Sequence, residues 1–167
     1  MTAPRQQQAT TALWSRFTEA LDALQPAAAL AARLYIAQVF FLSGLTKLRD
    51  WDTTVALFTD EYKVPLLSPD IAAVMGTAGE LVLPVLLVLG LAGRFAALGL
   101  SVVNVVAVVA LSDIAPAALQ QHVFWGSLLA GLAIFGVGPW SLDRWLAVRR
   151  QTVEHGQRAT IQAVFGE

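Results

Sequence analysis

The sequence predicts an all-α integral membrane protein, a four-helix bundle preceded by an N-terminal interfacial amphipathic helix. Three observations carry that expectation. Hydrophobic residues make up 56% of the 167-residue chain, only 14% are charged, and the mean hydropathy is +0.61; soluble domains carry roughly a quarter charged residues. Four segments reach the ~20 mainly apolar residues that a spanning helix needs. Backbone in hydrocarbon must satisfy its own hydrogen bonds, so these segments are expected to be helices.

The elements follow in chain order. In residues 1–26, Leu13, Trp14, Phe17, Leu21 and Leu24 recur at helical spacing. They predict an amphipathic helix on the inner membrane surface. Glu19 and Asp22 interrupt the apolar character, which argues against a cleaved signal. The four spans are expected over residues 27–48, 71–92, 95–111 and 117–138. Between the first two, WDTTVALFTDEY places Trp51, Val55 and Phe58 on one face, predicting a short helix against the outer surface that ends near Pro65. Gly93 and Arg94 are expected to form the next turn. In SDIAP, Ser112 or Asp113 is expected to cap the fourth span, with Pro116 in its first turn. GPWSLDRW sets two tryptophans at the inner interface. The chain thus divides into a tail with its interfacial helix (1–26), a membrane domain (27–146) and a polar tail (147–167).

Basic residues orient the bundle. With the N-terminus inside, Arg5, Arg16, Arg33, Arg94, Arg144, Arg149, Arg150 and Arg158 all fall on the inner side. Lys47, Arg49 and Lys63 fall outside, among several acids. The positive-inside rule therefore places both termini in the cytoplasm. A net charge of −1 gives no sign of nucleic-acid binding. The chain has no cysteine, which excludes thiol catalysis, iron–sulfur clusters, thiolate zinc sites and disulfides within it.

Polar residues inside the spans are the candidates for function. On the first span, Arg33, Ala37, Phe40, Gly44 and Lys47 form one stripe, with the two cations about 21 Å apart along the axis. Each cation can snorkel to its own membrane surface. Alternatively, Lys47 turns inward to a polar site and Arg33 forms an ion pair with Asp143. Glu80 lies about 13 Å into the second span, too deep for a short side chain to reach water. Pro84 leaves the Glu80 carbonyl without its helical donor. His122 lies about 7 Å inside the fourth span, and Asn104 shares a small-residue face of the third with Ala97 and Ser101. If these faces turn inward, Lys47, Glu80, Asn104 and His122 converge on one ligand pocket. An acid, a cation and an imidazole can hold quinone carbonyls and relay protons, bind a small polar solute, or lock helices together. One His and one Glu do not complete a metal site.

The sequence resembles the DoxX family of small bacterial and archaeal membrane proteins. The resemblance rests on Arg33, SGLTKL with Gly44 and Lys47, ELVLPVLLVLGL opened by Glu80, Arg94, His122 in HVFWGSLL, and GPWSLDRWL. It implies a four-span inner-membrane protein, often an oxidoreductase-associated or quinol-oxidase-associated subunit, as in thiosulfate:quinone oxidoreductase. The subgroup with EYKVPLL and ELVLPVLL is similar to proteins accompanying copper-responsive, ribosomally made metal-binding peptides. No haem-ligand pair, flavin motif or nucleotide loop is visible, and no catalytic residue is assigned. The expectation is an accessory subunit of a redox-linked or metal-stress system, with quinone as the candidate cofactor. Its candidate partners are the lipid bilayer, a protein or peptide, and a second copy in a homo-oligomer. The alternatives are a non-catalytic scaffold and a proton-coupled transporter.

Overall fold

The computed structural model describes residues 5–111 and 113–165, with side chains over 11, 13–111 and 113–154. Its helices are α1 (Arg5–Arg49), α2 (Trp51–Asp60), α3 (Pro69–Leu89), α4 (Gly93–Ala110), α5 (Pro116–Phe135) and α6 (Leu142–Phe165). Four of these, α1, α3, α4 and α5, are long and apolar enough to cross a membrane. Among the described residues the only extended pairing is an isolated bridge between Tyr62 and Leu111. The expected all-α membrane bundle is therefore the observed architecture. Each spanning helix packs against its neighbours in chain order, and α1 also touches α5 to close the ring.

Residues 5–26 are helical, as expected, but run into the first span without a break. The boundary at residue 27 is one of composition and not of structure. Pro26 lies inside α1 and removes one backbone donor, while the turns on either side continue the helix. Leu13, Trp14, Phe17, Leu21 and Leu24 are exposed along this N-terminal part.

The connections follow local chemistry. Asp50 caps α2 by accepting from the Thr53 backbone N–H and hydroxyl, which holds its carboxyl below the usual carboxylate range. The helix ends at Asp60, before the expected stop at Pro65. Pro69 opens α3 where its missing N–H costs nothing. Gly90 closes α3 in the left-handed region, and a Cβ there would stand 2.5 Å from that of Ser141. The turn occupies residues 90–92, so Gly93 and Arg94 belong to α4 rather than to the turn. At the start of α5 the cap position is Ala115, with no side-chain bond, so Asp113 is not the cap. Ser112 lies outside the described residues.

The two halves of the bundle differ. The half containing Arg33 holds the main core, built around Ile36, Phe40, Leu87, Leu100, Leu129 and Leu132. In the half containing Lys47, a smaller cluster of Phe58, Ala72 and Ala73 fastens α2 onto α3. Beneath α2 the four spanning helices leave a cavity.

Candidate functional site

The cavity has a volume of about 600 Å³. Its walls come from all four spanning helices: Phe40 and Ser43 of α1, Gly76 of α3, Val103 and Ala107 of α4, Trp125 of α5. Phe58 of α2 and the following segment, with Tyr62, Val64 and Leu67, cover its end. That segment is pinned by the Lys63 backbone N–H donating to the Ala110 carbonyl at 2.9 Å. Leu42, Met75 and Val102 line the cavity and are each more than half exposed, so it communicates with the flank of the bundle.

Three polar side chains expected to converge do line this space: Lys47, Glu80 and His122. The Lys47 ammonium donates to Glu80 Oε2 at 2.6 Å and to the Ser43 hydroxyl at 3.0 Å. The two ionic side chains are 19% and 10% exposed, placing the pair well inside the fold. Close backbone approach makes this possible. Gly44 lies against α3, where an added Cβ would stand 2.9 Å from Leu81 and 3.1 Å from the Glu80 Cβ.

Asn104 does not line the cavity; it stands behind His122 and orients it. The Asn104 amide nitrogen donates to the His122 carbonyl at 3.0 Å, and its oxygen lies 2.8 Å from His122 Nδ1. A carbonyl only accepts, so the amide orientation is decided, and Nδ1 must carry the proton it donates. In the neutral ring, Nε2 is therefore the nitrogen left to accept a proton or hydrogen bond. Trp125 meets the His122 ring edge-on at 4.9 Å and the Phe40 ring at 6.0 Å. Its indole N–H donates to the Tyr35 hydroxyl at 3.3 Å, so aromatic contacts close the α1–α5 seam below the cavity.

The expected Arg33–Asp143 ion pair does not form. The Arg33 guanidinium is buried and donates to the carbonyls of Leu87 (2.8 Å), Val88, Val137 (3.0 Å) and Trp140 (2.7 Å). Asp143 instead accepts from the backbone N–H groups of Ala92 (3.0 Å) and Gly93 (3.1 Å) at the start of α4. A cation on the carbonyls ending α3 and an anion on the donors opening α4 each match a helix terminus. The same two residues thus serve the same end of the fold through the backbone rather than through each other.

Tyr62 was not among the sequence candidates. It lines the cavity, and burial together with nearby Glu80 and Glu61 raises its phenol above the ordinary value of 10.0. Its signal was its place in EYKVPLL, directly after the α2 segment that folds over the bundle. Among the described residues, no group of three or more His, Cys, Asp or Glu gathers as a metal site.

The fold and this site define a multi-pass helical membrane protein with a buried ion pair and an oriented imidazole in one half of its bundle. Residues 28–113, just over half of the chain, match the DoxX family, and the chain belongs to it. The match covers Arg33, Lys47, Glu80 and Asn104 and stops before α5 and His122. No curated protein and no solved structure matches the chain.

Proposed function

We propose that this DoxX-family membrane protein binds a small amphipathic ligand, a quinone headgroup, as the accessory subunit of a redox-linked or metal-stress system. The observation carrying this reading is the coincidence of an apolar cavity of about 600 Å³ with Lys47, Glu80 and His122 in its wall. Small-molecule sites combine these features: mostly apolar walls and a few polar groups that set orientation. Openness at the flank suits a ligand arriving from lipid. Lys47 donates to one quinone oxygen, while His122 Nε2 accepts from a quinol hydroxyl or, once protonated, donates to the second oxygen. Reduction of a quinone takes two electrons and two protons. These side chains move protons only, so a protein partner supplies the electrons.

The same reading places the chain in the bacterial inner membrane with both termini cytoplasmic. It is supported by the arginines at 94, 144, 149 and 150 on the segments that follow the Arg33 end, against Lys47, Arg49 and Lys63 at the other. The cavity then faces the outer half of the bilayer. Mass spectrometry of small molecules retained after gentle extraction tests the proposal, with Glu80→Gln and His122→Phe beside wild type. A quinone carried by wild type and lost from both folded variants is the expected result. Bulk lipid alone in all three proteins refutes it.

A scaffold role for a protein or peptide partner is the second reading. It draws on the mutual satisfaction of the Lys47–Glu80 and Asn104–His122 contacts, which serve helix locking without a ligand. Under it, Glu80→Gln lowers thermal stability while quinone titration of wild type shows no saturable binding.

A further inference from the structure

We propose that the outward face of α1 is a docking surface for a second copy of this chain, with the Gln38 carboxamides of the two copies hydrogen-bonded to each other. Gln38 lies within the first span, five residues or about 7.5 Å beyond Arg33 and about 17 Å short of Arg49. It is exposed, and among the described residues its side chain makes no hydrogen bond. Thr46, Ser101 and Ser127 bond carbonyls on their own helices, and Asn104 bonds His122. Gln120 and Gln121 are also exposed without a hydrogen bond, but they lie in the first two turns of α5, near its end at the membrane surface. Thr77 also lacks a partner, but it is buried within the bundle, beyond the reach of another chain.

An unpaired amide in hydrocarbon has no water to turn to, so association that satisfies it is favoured. Two further features fit a helix against this face. Leu34, Gln38, Phe41, Leu45 and Leu48 recur at alternating spacings of four and three, the seam of a left-handed helix pair with one polar position that sets its register. Beside that seam a groove of about 340 Å³ runs between α1 and α3, lined by Gln38, Phe41, Pro84 and Val85. A carboxamide is at once donor and acceptor, so a two-fold axis near Gln38 satisfies both copies with one residue type. That self-complementarity is why the occupant is a second copy. The surface lies apart from the cavity lining, so the inference does not depend on ligand binding.

The natural absence of cysteine makes the test direct. Leu34→Cys and Phe41→Cys, one turn to either side of Gln38, are introduced singly into the full chain at low expression. Leu98→Cys on α4, 57% exposed, is the control. A short bis-maleimide in native membranes is expected to give the cross-linked dimer from positions 34 and 41 and not from 98. Adding Gln38→Leu is expected to lower the dimerisation constant roughly 3- to 30-fold, with Gln38→Asn recovering part of the loss. Absence of dimer at 34 and 41, equal linking at 98, or linking indifferent to Gln38→Leu overturns the proposal. So does cross-linking to a different protein, which assigns the surface to another partner.

Discussion

Removing one member of the Lys47–Glu80 pair should cost more than removing both. The ammonium and carboxylate meet at 2.6 Å with side chains 19% and 10% exposed. Truncating one partner of such a buried pair leaves an uncompensated charge and costs about 3–5 kcal/mol. The two single variants are not equivalent. In Glu80→Gln the stranded ammonium lies two residues from the end of α1 and can turn to the interface, which brings the expected loss to about 2–3 kcal/mol. In Lys47→Met the stranded carboxylate lies about 16 Å into α3 on a short side chain, and the full ~3–5 kcal/mol applies. The double variant leaves no unpaired charge and should lose less than either single variant, so the two losses couple by well over ~1 kcal/mol. Reversible unfolding in mixed micelles, followed by tryptophan fluorescence, supplies the double-mutant cycle. Additivity of the two losses within about 0.5 kcal/mol would refute the reasoning, because independent sites behave that way.

Three other outcomes follow from the same geometry. Arg33→Lys should lose about 2–4 kcal/mol despite keeping the charge, because a single ammonium does not reproduce the fork that serves four carbonyls; equilibrium unfolding of the variant checks this, and a loss below ~1 kcal/mol contradicts the capping role. Gly44→Val should cost about 1–3 kcal/mol by forcing α1 away from Leu81 and Glu80, and should also reduce the Lys47–Glu80 coupling energy in the same cycle. The raised phenol of Tyr62 means that the folded state favours the neutral form, so the associated stability is present at neutral pH. It falls as pH rises above the ordinary tyrosine value through the higher folded one. Ultraviolet titration should show a tyrosine ionisation later than in the unfolded chain that Tyr62→Phe removes; a late step that survives Tyr62→Phe, or no late step at all, would contradict it.

Membrane architecture was readable residue by residue because hydrocarbon imposes one rule on every backbone group. Runs of apolar residues of spanning length therefore had a single solution, and α3, α4 and α5 lie where composition placed them, with boundaries shifted by a few residues. The depth of Glu80 and the small stripe of Ala37 and Gly44 likewise pointed into the bundle, and the structure brings Lys47 to Glu80 through Gly44. Partner choice was not readable. Arg33 and Asp143 lie at the same end of the bundle with opposite charges, yet each meets backbone. Unsatisfied carbonyls and N–H groups at helix termini are invisible in a string of side chains. Asn104 was expected in the cavity wall and stands behind His122, because rotation of α4 about its axis depends on packing against α5.

Sequence by itself determined that this is an α-helical membrane protein, how many times it can cross, and which polar residues are too deep to be incidental. Those properties are local: they depend on transfer of each residue between water and lipid and on the period of one helix. Tertiary structure alone decided the cavity, the covering segment from Tyr62 to Leu67, the tautomer of His122 and the acceptors of Arg33. These depend on the relative rotation and separation of helices, set by packing summed over contacts between residues far apart in the chain.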